Sequence, residues 1–236
     1  MGNCAEKRAE AKVLEVIALS RRDAELAAVG GAQRIELVSA MEKDGLSPAP
    51  ELVEEIVNTV PIRVRAMVRL ESGFQTARLP ELAQSIIDFR NAGAEGVVFG
   101  YVNSAGRLDR RVMNELIGAL DEQGTYTVHR AVDHCADYLQ AISDTLDLEP
   151  APSVILTAGS ARGVADGLRN LAAAITRYPH VLSMMQVGGG LELAHVPMLR
   201  SLGVTMFHVG SGVRENGTFD SDISPAKVRE WLEAIS

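Results

Sequence analysis

Eight times along the chain a short run rich in β-branched residues gives way to a longer segment with helical periodicity, and this alternation restricts the fold more than any single motif. The runs are KVLEVIAL (12–19), RIELV (34–38), IRVRAMV (62–68), GVVFG (96–100), TYTVH (125–129), SVILT (153–157), LSMMQV (182–187) and MFHVG (206–210). Between them lie segments such as LPELAQSIIDFRNAGA (79–94) and VADGLRNLAAAITRYP (164–179). The last helix, SPAKVREWLEAI (224–235), places Ser224 at the N-cap and Pro225 at the first helical position. The second helix is expected to be short, and LDLEPAP (146–152) reads as a plain connection.

Eight strand–helix units of about 25–30 residues each predict an α/β fold of the (β/α)8 TIM-barrel type. One domain then spans 12–236, after a polar, disordered lead-in over 1–11. A doubly wound open sheet is the alternative, and it would favour one glycine-rich phosphate loop after the first strand. Here LSRRDAELA follows that strand, with no glycine before Gly30. The glycines gather instead at the last two strands, which favours the barrel.

Bulk properties exclude several functions. A formal charge of −8 argues against a nucleic-acid partner, which needs clustered Lys and Arg. Lysine occurs only at 7, 12, 43 and 227, so anion recognition falls to arginine. No strand ends on lysine, which disfavours a Schiff-base mechanism. No apolar run approaches the ~18 residues of a membrane span. The opening MGNC carries Glu6 where a myristoylation site has Ser or Thr. Two cysteines, Cys4 and Cys135, suit a reducing compartment, and the expected location is the cytoplasm.

In such barrels the functional face is built from strand C-termini and the loops after them. Those positions are Ser20, Glu36, Arg69, Gly100, His129, Arg130, Thr157, the triplet Gly188, Gly189 and Gly190, and the segment His208 to Gly212. Most polar groups that would be costly in a core are expected at this one end. Gly188 to Gly190 and Gly210, Ser211 and Gly212 allow backbone N–H groups to approach a phosphate or carboxylate. The same glycines would also serve simple tight turns. Arg34 and Glu36 alternate with Ile35 and Leu37, so both should project into the barrel lumen, with Glu36 paired to Arg65, Arg69 or Arg130. A structural ion-pair layer and a catalytic role are both open for Glu36. His129 is a candidate proton shuttle, with Arg130 and Asp133 to orient it or to hold a substrate anion. It could equally be a hydrogen-bonded core group. Cys135 is a weak metal candidate, because adjacent His134 and Cys135 should diverge in direction and nothing supplies the remaining ligands. A buried small hydrophobe is the other reading of it.

Several segments together are similar to the CutC family, the copper homeostasis proteins. GGAQRIELVSAMEKDGLSPAPELVEEI resembles the family's second βα unit, where a G-A-x-R-[VI]-E-L strand precedes G-G-L-T-P-S. YTVHRAVDHCAD resembles its FHRAFD segment, VILTAGSARGVADGL its RVLTSG strand, and MMQVGGGL its IMAGGG. The resemblance runs in order from about Leu14 to Gly212. It implies a (β/α)8-type barrel, a link to copper tolerance or copper binding, and dimers, for a family with no established reaction. It also implies that Glu36, Arg69, His129, Arg130, Asp133 and Thr157 fall on shared mouth positions.

The departures bear on copper. The resemblance implies cysteine in strand one and after strand two, where this chain has Ile17 and Val38. Cu(I) prefers thiolate and thioether ligands, so candidate ligands are removed. The family's R-P-R-G-G-D-F-x-Y loop is reduced to RLESGFQTA, which keeps Arg69, Gly73 and Phe74. Three readings follow. One is an isomerase or lyase acting on a small phosphorylated or carboxylated metabolite, since neither needs a bound redox cofactor. Another is a copper-handling protein using Cys135 with Met67, Met184 or Met185. The third is a ligand-binding barrel without turnover.

Overall fold

The eight runs form eight parallel strands that close in sequence order into one barrel. The structure, a computed structural model, describes residues 12–120 and 124–236. The lead-in 1–11, with Cys4 and Glu6, lies outside the described residues. The strands are β1 (Val13–Ala18), β2 (Arg34–Leu37), β3 (Arg63–Met67), β4 (Gly96–Phe99), β5 (Thr125–Val128), β6 (Val154–Thr157), β7 (Met185–Gly188) and β8 (Met206–Val209). Strand β1 pairs with both β2 and β8, so the sheet has no edge and the doubly wound alternative falls.

Parallel neighbours cannot be joined by hairpins, and a helix fills every connection. These helices are α1 (Arg21–Gly30), α2 (Pro50–Thr59), α3 (Leu79–Asn91), α4 (Arg110–Ile117), α5 (Tyr138–Leu146), α6 (Val164–Arg177), α7 (Val196–Ser201) and the closing α8 (Pro225–Ile235). Their apolar faces bury the outward strand residues, such as Leu14, Val16, Ile35, Leu37, Val97 and Phe99, in one continuous layer. No described helix is long and apolar enough to cross a membrane.

Three local expectations shift. Helix α2 is not short: it has ten residues, against six in α7. The seventh strand begins at Met185, because Pro179–Ser183 turns as a 3-10 segment before it. Ser224 stands at the N-cap of α8, but its hydroxyl caps no backbone N–H; Pro225 is the first helical residue as expected.

The lumen differs more. Polar groups are not confined to the mouth, because inward positions lower in the barrel carry Glu15, Arg34, Arg65, Thr127 and Gln186, all buried. The register explains how they meet. Glu15 lies opposite Arg34 on one side and His208 on the other. Arg34 bonds the Glu15 carboxylate through Nε and the Gln186 carbonyl at 3.1 Å. Arg65 reaches Glu95 at 3.0 Å and the Thr127 hydroxyl at 2.5 Å. Each charge is thereby matched, as burial requires.

On the opposite side of the barrel, α6 packs unusually close to the turn after β6. A Cβ on Gly167 would sit 1.9 Å from the Ala158 carbonyl oxygen, a backbone atom with no room to yield. Asn170 tightens the contact by donating to the Gly159 carbonyl at 2.8 Å. Helix propensity alone would favour Gly167→Ala by about 1 kcal/mol. The clash reverses the sign, and Gly167→Ala is expected to lower stability by ~1–3 kcal/mol. Urea denaturation checks this; an unchanged or raised midpoint would show that the close approach is dispensable.

Candidate functional site

The strand C-termini and their loops enclose a cavity of about 400 Å³. Of the residues expected at the mouth, Glu36, Arg69, His129, Arg130, Gly189, Gly190, Gly210, Ser211 and Gly212 line it. Asp133, Thr157, Gly188 and Cys135 do not.

Arg69 follows β3 and is held from behind. Its backbone N–H donates to the Ser47 hydroxyl at 2.9 Å, and Nη1 donates to the Asp44 carbonyl at 3.0 Å. The guanidinium lies 4.9 Å from the centre of the Phe74 ring. Its Nε and Nη2 are buried and have no protein partner. These two N–H groups form the side-on fork that matches the two oxygens of a carboxylate or phosphate.

Glu36 sits across the same cavity with its Oε1 also buried and unpartnered. The expected arginine partner is not what the structure places beside it. Register sets Arg65 next to Glu36, but that guanidinium turns to Glu95 and Thr127. Arg69 and Arg130 make no hydrogen bond to Glu36 either; its ion-pair partner is His208, whose Nε2 lies 3.7 Å from Oε2. Burial pushes the Glu36 carboxyl up to about 7, against the pull of His208. On the far edge of the His208 ring, Nδ1 lies 2.8 Å from Glu15 Oε1. Burial opposes a charge on His208, yet Glu36 and Glu15 raise its affinity for a proton. Glu15 itself is buried, but Arg34 and His208 hold it well below the usual carboxylate range. Two lumen carboxylates thus differ sharply: Glu15 ionised and saturated, Glu36 poised near neutrality with a free oxygen.

His129 ends β5 and starts a 3-10 turn, Arg130–His134. Its Nδ1 accepts from the Ala131 N–H at 3.2 Å, so the ring proton resides on Nε2. Burial, with Arg69 and neighbouring cations, pushes its pKa down to about 3. The expected proton shuttle is therefore a neutral ring near pH 7, with an N–H donor left for a ligand.

Nor do Arg130 and Asp133 orient His129; they hold each other. Arg130 Nε donates to Asp133 Oδ2 at 2.9 Å, and Nη2 donates to the carbonyls of Ser160 and Ala161. Asp133 also accepts from the Thr157 hydroxyl at 2.6 Å and from the N–H groups of Ala158 and Gly159 at 2.8 and 3.0 Å. Every valence of that carboxylate is used. Thr157 is occupied too, since its hydroxyl also lies 3.1 Å from the Tyr138 hydroxyl. This group locks the turn after β6 to the turn after β5 behind the cavity wall.

The glycines divide. Gly188 is buried in β7, where a Cβ would meet His208 at 2.7 Å. Gly189 has φ +95° and lets the Arg130 guanidinium pass, 2.5 Å from where a Cβ would stand. Ser211 and Gly212 open a 3-10 turn, so their N–H groups have no acceptor within it.

Cys135 lies elsewhere, lining a smaller cavity of about 120 Å³ with Arg107 and Asp144. Its thiol donates to the Ala131 carbonyl at 3.6 Å, and burial pushes its pKa up to about 11. Among the described residues no three His, Cys, Asp or Glu side chains are grouped to hold a metal ion.

Sequence reasoning missed Glu15, and gave His208 a position but no role. The signal was present: Glu15 alternates with Leu14 and Val16 as Glu36 does with Ile35 and Leu37.

A family model described as the CutC family matches residues 12–213. A family protein CutC from Rhizobium meliloti (strain 1021) is 33% identical over 187 residues, covering 78% of this chain and 75% of its own. One from Caulobacter vibrioides (strain NA1000 / CB15N) is 30% identical over 213 residues, covering 89% and 82%. Among solved structures, a copper homeostasis protein CutC from Streptococcus agalactiae superposes with a TM-score of 0.73 at 20% identity, covering 84% of this chain and 98% of that one. Phosphoribosyl anthranilate isomerase from Thermococcus kodakaraensis gives 0.62 at 16% identity, covering 95% and 98%. At these identities the two structures show the fold.

The free Glu36 oxygen makes a pH prediction. An unfolded glutamate ionises near its ordinary 4.5, whereas folded Glu36 keeps its proton to about 7. The folded state is therefore progressively disfavoured as pH rises through that window. Glu36→Gln removes the effect, so the variant should gain on the parent by ~3 kcal/mol between pH 4 and pH 8. Denaturant titrations at the two pH values measure it, and a pH-independent difference would refute the raised carboxyl.

Proposed function

The chain belongs to the CutC family, and from that premise we propose that it binds a small carboxylated or phosphorylated metabolite at the barrel mouth. The unpartnered Nε–Nη2 fork of Arg69, buried against Phe74 inside the cavity, carries this reading. Leaving such donors unmatched costs stability unless something else satisfies them. The neutral His129 ring adds a donor, and the turn at Ser211 and Gly212 adds backbone N–H groups on the opposite wall. Glu36, with a free oxygen and a carboxyl near 7, favours the enzymatic form of the reading, an isomerase or lyase, over a passive binder.

The link to copper homeostasis comes through the family. Within the described residues the soft donors read from the sequence do not come together, although Met41 joins Met67 on the mouth cavity. Cu(I) requires soft ligands close together. Cys135 is a protonated thiol in the smaller cavity, Met67 lines the mouth, and Met185 is buried at the start of β7. Met184 is only partly buried beside it, outside both cavities.

A thermal-shift screen of the reduced protein against carboxylated and phosphorylated metabolites, and against Cu(I), tests the proposal. A ligand at 100 times its dissociation constant should add about 2.7 kcal/mol. Arg69→Lys, which keeps the charge but loses the fork, should weaken that ligand at least roughly tenfold. Stabilisation by Cu(I) alone, lost in Cys135→Ser, would overturn the metabolite site in favour of copper.

A further inference from the structure

Resting on that anion site, we propose that Glu36 and His208 form a proton-sharing acid–base pair, and that the ligand is a small 2-oxocarboxylate whose C3 proton the pair removes and returns.

Geometry fixes the pair. His208 is clamped between two carboxylates, Glu15 at 2.8 Å on Nδ1 and Glu36 at 3.7 Å on Nε2. Glu15 is saturated by Arg34 as well, so it stays an ion and holds the His208 Nδ1 proton in place. His208 Nε2 then faces Glu36 across an ion-pair distance, while Glu36 Oε1 stays free on the cavity. The charged and titratable groups acting on this pair are Glu15 on β1, Arg34 on β2 and Arg69 after β3, with Arg65 on β3 acting on Glu15. Among the described residues, no other buried carboxylate has a free oxygen on the mouth cavity.

The cavity specifies the substrate by what is missing. The Arg69 fork takes a planar carboxylate. The His129 Nε2–H is a neutral donor, suited to a carbonyl oxygen rather than to a second anion. Glu36 Oε1 needs a proton source. Asp44, Arg130 and His134 also reach the wall, and between the polar groups Met67, Leu156, Phe74 and Phe219 leave apolar surface for a short hydrocarbon end. A carboxylate, an adjacent carbonyl and a neighbouring acidic C–H satisfy all four. Glu36 takes the C3 proton and the C–H electron pair becomes the C2=C3 bond. The carbonyl π pair moves to oxygen, where the enolate accepts a hydrogen bond from His129 Nε2–H. Return of a proton from Glu36 to C3 reverses the step, and no oxidant or second reactant is consumed.

The test is proton NMR of pyruvate and 2-oxobutyrate in deuterated buffer, with thermal shift run on the same samples. The protein should accelerate C3 deuteration by roughly 10²-fold over buffer. Glu36→Gln should abolish the acceleration while keeping the thermal shift, and Arg69→Gln should lose both. His208→Asn should keep the thermal shift and raise the pH midpoint of exchange, because a buried Glu36 without its histidine partner holds its proton more tightly. Binding that depends on Arg69 without faster exchange overturns the inference and leaves the anion site standing. Binding of phosphorylated metabolites but of neither oxoacid overturns the substrate class. No binding by any anion removes both. Should His208→Asn fail to fold, histidine-selective 15N spectra of the parent and Glu36→Gln decide the pairing. The His208 midpoint must fall in Glu36→Gln, and an unchanged midpoint refutes the shared proton.

Discussion

The buried contact of Glu15 with Arg34 and His208 is the constraint on which the rest of the mouth depends. Each of the three side chains comes from a different strand, and the parallel register of β1 with β2 and β8 sets them side by side. Neither Glu15 nor Arg34 can be removed singly without leaving an uncompensated charge in the lumen, a loss of about 3–5 kcal/mol. The layer therefore ties the closure of the barrel, where β8 meets β1, to the ionisation of the mouth. His208 cannot turn toward solvent while Glu15 holds Nδ1, so its other nitrogen stays aimed at Glu36.

What separates function from structure at this mouth is the count of satisfied valences. The β5–β6 side looked richest in chemistry, with Arg130, Asp133 and Thr157 in adjacent segments. There every polar atom of Asp133 has a partner, and the group closes turns. On the β2–β3 and β8 side, by contrast, Glu36 Oε1 and two Arg69 N–H groups are buried with nothing to meet. A fold tolerates such orphans at a cost of about 1–3 kcal/mol each, which concentrates them where a ligand supplies the missing partner.

Much of this was legible in the sequence because it rests on short-range patterns. Strand and helix alternation gave the barrel and all eight strand positions, and the alternation of Arg34 and Glu36 with Ile35 and Leu37 placed both in the lumen. Only the start of the seventh strand was misplaced, because LSMM is apolar enough to read as strand, whereas Pro179 begins a 3-10 turn through Ser183. Partners were not legible. Whether Glu36 meets Arg65 or His208 depends on which way a long guanidinium leaves its strand, and Glu95 and Thr127 decided that from two other strands' neighbourhoods. The hydrogen bonding of His129 was not legible for a related reason: a backbone N–H two residues on claims its acceptor nitrogen.

The substitutions that set this chain apart now acquire a physical sense. Ile17 and Val38 stand where the resemblance implies cysteine. Ile17 lines the mouth cavity, with its Cδ1 only 2.9 Å from where a Cβ on Gly210 would stand, and Val38 packs in a cluster with Met67 and Val98. Thiolates at these positions would bring soft donors and negative charge beside Glu36. Branched aliphatics bring neither; they exclude water and lower the polarity around a carboxylate with one unpartnered oxygen. Burial of this kind raises a carboxyl toward neutrality, as it does at Glu36.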